Sequence, residues 1–154
     1  AMQLCYPDLD GKHLPVYIPA NFYVIGTMNV ADRSLALVDM AFRRRFAFID
    51  LEPMFGKRWR DFVVNKLQME SSVADQIRER MNQLNTQISV DSRLGKDFKV
   101  GHSYLTPTES LKGRSSKQWF SEIVESEIKP LLKEYWFESQ DEADKAAAKL
   151  LENL

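Results

Sequence analysis

The chain has 154 residues, enough for one domain of ordinary size or two small lobes. Its 44% hydrophobic and 28% charged content is that of a folded globular protein rather than a disordered or membrane one. A net charge of −1 gives no global reason to expect nucleic-acid binding.

No apolar run approaches the roughly 18 residues that a membrane span needs. The N-terminus has no basic segment followed by an apolar core, so no secretory leader is expected. The single cysteine, Cys5, excludes an internal disulfide framework and fits a reducing cytoplasm.

Asp8-Leu9-Asp10-Gly11 is a turn signal between Leu4-Cys5-Tyr6 and the run from His13 to Ile18, which predicts a small hairpin ended by Pro19. Phe22 to Ile25 read as a strand buried on both faces. Gly26 to Asn29 change character at its carboxyl end, where open α/β sheets bind ligands. Asp32 or Ser34 caps the helix expected next, with Leu35, Val38, Ala41 and Phe42 on one face and Arg43, Arg44 and Arg45 at its end. Phe46 to Leu51 return to strand composition, and Pro53 and Gly56 mark a boundary.

Beyond the boundary the pattern is helical. Trp59, Phe62, Val63 and Leu67 suggest one amphipathic face; Val73, Ile77, Met81, Leu84 and Ile88 make a cleaner one. Residues 91–101 and 107–116 read as loops. Trp119 to Phe137 are apolar at helical spacing, and Pro130 must kink that helix or start a second one. Asp141 to Leu154 form an alanine-rich helix with Leu150 and Leu151 as its contacts.

Three motifs stand out: Met28-Asn29-x-x-Asp32-Arg33-Ser34, Arg43-Arg44-Arg45-Phe46, and Phe98-x-Val100-Gly101-His102-Ser103-Tyr104. Taken alone, each has an ordinary reading. Asn29 is a turn residue tolerant of unusual backbone angles. Asp32 and Arg33 are a helix cap with a local ion pair, of order 1 kcal/mol. The three arginines complement the negative end of a helix, worth a few tenths to about 1 kcal/mol, or else touch nucleic acid. His102 has no Cys or acidic partner at metal-ligand spacing, so a zinc site is not expected, and no nucleophile-elbow pattern supports a Ser/His/Asp triad.

Together, in this order and spacing, the motifs resemble the McrB-like AAA+ GTPases of modified-cytosine restriction systems, over roughly residues 15 to 137. The resemblance implies an α-rich α/β chain. Residues 1–53 would be the latter part of a P-loop NTPase core, with the sensor 1 strand, arginine-finger helix and last core strand; residues 54–154 would be a helical lid. It implies that Asn29 orients the attacking water and that Arg44 and Arg45 reach a neighbouring subunit's nucleotide, with Thr27, Asp32, Arg33, Arg43 and His102 as nucleotide or interface contacts. It further implies GTP and Mg²⁺ as ligands of the complete protein, and a ring of neighbouring AAA+ subunits. An McrC-like nuclease would be the partner, and DNA would be bound only through the whole complex.

The phosphate-binding Gly-x-x-x-x-Gly-Lys-Ser/Thr loop and a strand ending in paired acids are both missing from this sequence. The chain is therefore expected to be inactive alone and to hold no nucleotide tightly. With the central strand of such a sheet also missing, the strands at 22–27 and 46–51 are expected to pair with each other or with another copy. Two alternatives stand beside this reading: a fragment of a MoxR-type ATPase, against which the Asn29-x-x-Asp32-Arg33 signature argues, and a non-catalytic oligomerisation module.

Overall fold

The structure, a computed structural model, describes residues 2–3, 6–7, 9–13, 15–28 and 44–154. The expected helix at 32–42, and with it Asn29, Asp32, Arg33 and Arg43, lies outside the described residues. The chain divides into two compact units, Ala1–Val30 and Ala31–Leu154.

In the first unit, β1 (Met2–Gln3) pairs antiparallel with β2 (Pro15–Val16), with Met2 opposite Val16 and Gln3 opposite Pro15. The connection turns at residues 9–11, where Gly11 takes a φ of 75°, as the Asp-Gly signal requires. The hairpin is present, with its ladder displaced to Met2–Gln3. Pro19 then accepts a bond from Phe22 N–H at 3.1 Å, turning the chain.

Residues 22–28 belong to no helix or ladder among the described residues, and Tyr23 and Ile25 are 83% and 95% exposed. In the second unit the same holds for 46–51, where Ile49 and Leu51 are strongly exposed. Both runs were expected to be strands. Strand composition marks a surface that suits a pleated, half-buried site, and it makes a strand only where a partner ladder and a covering layer exist. The described residues supply neither.

The second unit is helical. α1 (Lys57–Asn65) buries Trp59 and Val63, one turn apart, while Phe62 lies 49% exposed at the edge of that face. The helix stops too soon for Leu67 to extend it: Gln68 takes a left-handed φ of 57°, and Met69 N–H bonds back to Val63 O at 3.0 Å. α2 (Ser71–Val90) is the central element, about 30 Å long at 1.5 Å per residue. Its buried stripe is Val73, Ala74, Ile77, Met81, Leu84, Asn85 and Ile88, the expected apolar face with one amide in it.

α3 (Ser116–Ile123) is capped by Ser115, whose side chain accepts from Gln118 N–H. The helix does not continue as α-helix. Val124–Ile128 form a π-helical segment, closed by Lys129 N–H bonding to Val124 O, before α4 (Lys129–Tyr135), with Pro130 in its first turn. Proline has no N–H to give the preceding turn, and the wider register absorbs that loss without a break. α5 (Gln140–Leu151) buries Ala143, Ala146, Ala147 and Leu150, packing on α2, α4 and the π segment. Small alanines let it approach closely. Arg80 of α2 completes its far end, donating to the carbonyls of Leu150 and Glu152 at 2.6 Å each.

No described helix is long and apolar enough to cross a membrane.

Candidate functional site

The motif from Phe98 to Tyr104 begins in a 3₁₀ turn, Lys96–Phe98, and runs on as a loop through Val100 and Leu105, both buried. Asn85 holds it from inside. Its Oδ1 accepts from Val100 N–H at 2.7 Å and its Nδ2 donates to Val100 O at 3.0 Å, so one amide replaces both partners of a ladder rung. The need is clear from burial: Val100 is 1% exposed, and its backbone groups have no water to turn to.

From outside, the loop clasps the segment that leads into α1. Lys99 Nζ pairs with Glu52 at 2.7 Å, and this cation holds the Glu52 carboxyl below its usual range. His102 Nδ1 accepts the backbone N–H of Met54 at 3.1 Å. Phe55 packs edge-on against both the His102 ring and Trp59, with centroids 6.3 and 5.4 Å away. Trp59 Nε1 donates to Thr106 Oγ1 at 3.0 Å, and that hydroxyl donates to His102 O at 2.7 Å. Residues 52–59 are thereby fastened to residues 99–106 at successive points.

This arrangement sets what His102 can do. A nitrogen that accepts a backbone N–H carries no proton, so the ring's proton sits on Nε2, which is left as a donor. At Nδ1 it anchors the chain and is not free to act as a base. Among the described residues, no group of three or more His, Cys, Asp or Glu is placed to hold a metal. Arg44 and Arg45 stand in an exposed turn at 44–46 in the second unit, and Thr27 is exposed in the first.

A second cluster was not legible as a site. Asp91, at the end of α2, accepts from Trp136 Nε1 at 2.8 Å and from Arg93 at 3.0 Å; Arg93 also donates to Ser139 and Glu142. The Arg93 guanidinium first, then the indole N–H, hold the Asp91 carboxyl well below the ordinary carboxylate range. This knot joins the end of α2 to the α4–α5 turn and is structural. Asn85, by contrast, left a trace in the sequence: it falls four residues after Met81 and three before Ile88, an amide at a buried register of the stripe.

Residues 76–144 match the family model described as McrB, alpha-helical lid domain. Across 153 residues the chain is 43% identical to the Type IV methyl-directed restriction enzyme EcoKMcrB subunit of Escherichia coli (strain K12). Both likenesses are to McrB. The match covers 98% of this chain and 33% of that protein, so the chain spans about a third of the length of its curated relative. The lid match begins within α2 and ends within α5, and so contains the Asn85 anchor, the clasping loop and the Asp91 knot.

Proposed function

We propose that this McrB-like chain is the carboxyl-terminal part of an AAA+ GTPase motor subunit in a restriction system directed at 5-methylcytosine. It would supply sensor 1 and a trans-acting arginine finger beside its lid. The observation that carries this reading is the 43% identity, maintained over 153 residues, to a methyl-directed restriction subunit. The order of the three motifs supports it.

In this reading Asn29 orients the attacking water by donating and accepting through one amide. Arg44 and Arg45 stabilise charge developing on the γ-phosphate held by the neighbouring subunit, a contribution of about 10³–10⁵ in turnover. Thr27, Asp32, Arg33 and Arg43 shape the same interface, and His102, anchored through Nδ1, offers its Nε2 proton. Mg²⁺ and the phosphates are assigned to the phosphate loop and acidic strand of the complete subunit, motifs that this sequence does not contain. Neighbouring subunits of a ring and an McrC-like nuclease are the partners.

The test is mixing. The McrB-like chain is added to a variant of the intact Escherichia coli relative that lacks the arginines corresponding to Arg44 and Arg45, and GTP hydrolysis is measured. Restored turnover is expected, and Arg44→Ala with Arg45→Ala in the added chain abolishes it. Inhibition of the intact relative without rescue would overturn the finger role in favour of a module that only joins rings. No effect of either kind would overturn the reading altogether.

A further inference from the structure

A cleft of about 340 Å³ opens beside the clasping loop, between it and α3. Its floor is Thr106, Pro107, Trp119 and Ile123, all buried or half-buried. Its rim is Ser103, Tyr104, Thr108 and Glu127, all exposed. The rim therefore offers three hydroxyls and one carboxylate, and no cation.

Glu127 differs from its neighbours. Glu122 pairs with Arg114, and Glu125 pairs with Lys129 at 2.8 Å. Glu127 has no ion pair among the described residues. It lies in the π-helical segment, and the wider turn displaces it around the axis from its α-helical position. Single π turns inside α-helices recur at functional sites. The Thr106 hydroxyl is already committed to His102 and Trp59, so the available polar atoms are those of the rim.

We propose that this cleft receives the arginine side chain of a partner protein. Charge complementarity decides the class: an anionic ligand, such as a phosphate or a nucleic-acid backbone, would face Glu127 with no cation to receive it. A guanidinium brings five donors in a planar fork, matched by the carboxylate and the rim hydroxyls, while its methylene stem lies on the apolar floor of Trp119, Ile123 and Pro107. A lysine ammonium would fill the charge but not the fork.

The probe is N-acetyl-arginine amide, titrated into the full chain while the Trp119 indole N–H resonance is followed by NMR. A saturable shift is expected, weakened roughly tenfold for the neutral isostere N-acetyl-citrulline amide and for Glu127→Gln, and abolished by Glu127→Lys. Glu127 is exposed, so both variants should keep the wild-type helical circular dichroism, which is checked alongside. The proposal is overturned by absence of a saturable shift or by equal affinity for citrulline amide. Equal affinity for N-acetyl-lysine amide, undiminished affinity in Glu127→Gln, or movement of the same resonance by GTP overturns it as well.

Discussion

Asn85→Leu keeps the approximate volume of the side chain and removes both bonds to the Val100 backbone. Val100 is buried, so its N–H and C=O would be left unpaired, each at a cost of about 1–3 kcal/mol. The better burial of an apolar side chain offsets part of this, giving a net loss of about 3 kcal/mol. For a chain of this size that lowers the melting temperature by about 6–12 °C.

Asn85→Asp isolates the hydrogen-bond argument from packing. The carboxylate still accepts from Val100 N–H, but it presents a second acceptor to Val100 O. Burial and that carbonyl raise its folded pKa above the unfolded value of about 3.9. Its protonated form is an O–H donor and restores the lost bond. A group with a raised folded pKa stabilises most at low pH and loses that contribution as pH rises through the folded value. The deficit of Asn85→Asp against wild type should therefore be large at pH 7 and shrink toward pH 4. Urea unfolding followed at 222 nm across that range is the assay. A deficit independent of pH, or an Asn85→Leu variant within about 0.5 kcal/mol of wild type, would refute the reasoning.

Two more outcomes follow from the same unit. Asp91 is held below its ordinary pKa in the folded state, so it stabilises above the unfolded value and that contribution is lost as pH falls below about 4. Asp91→Asn should flatten the acid limb of the stability curve below pH 4, and an unchanged acid limb would contradict the assigned role of the Arg93–Trp136 knot. His102→Ala removes the acceptor for Met54 N–H, so exchange at that amide should quicken about fivefold to tenfold while the Val100 amide is unaffected. Parallel changes at both amides would mean that His102 supports the whole loop rather than the strap.

The helical unit was legible because its stripes are long. Val73, Ile77, Met81, Leu84 and Ile88 recur along a helix of 20 residues, and nothing but a helix buries all of them on one side. Pro130 announced a discontinuity, though not that a π turn would absorb it. Trp59 and Val63 are buried as their spacing predicts, but Phe62 is half-exposed, since a helix of 9 residues has room for one narrow stripe.

The runs at 22–27 and 46–51 show the limit of composition: their apolar residues indicate what they suit, while a ladder depends on a second strand that the described residues lack. At the candidate site the motif containing His102 was visible, but the bonds from Met54 to His102 and from Trp59 to Thr106, and the Asn85 anchor behind them, join residues 15 to 48 positions apart. Only folding brings those together. Asn29, Asp32, Arg33 and Arg43 fall outside the described residues.

Because Glu52 and Met54 are pinned to Lys99 and His102, the peptide ahead of them behaves as a leash with a fixed post. Eight positions separate Arg44 from Glu52, so even fully stretched that guanidinium's backbone stays within about 26–29 Å of the post. Tilting the helical unit must therefore carry the arginine turn with it, and the number of residues between Arg44 and Glu52 sets the outer limit of that turn's reach.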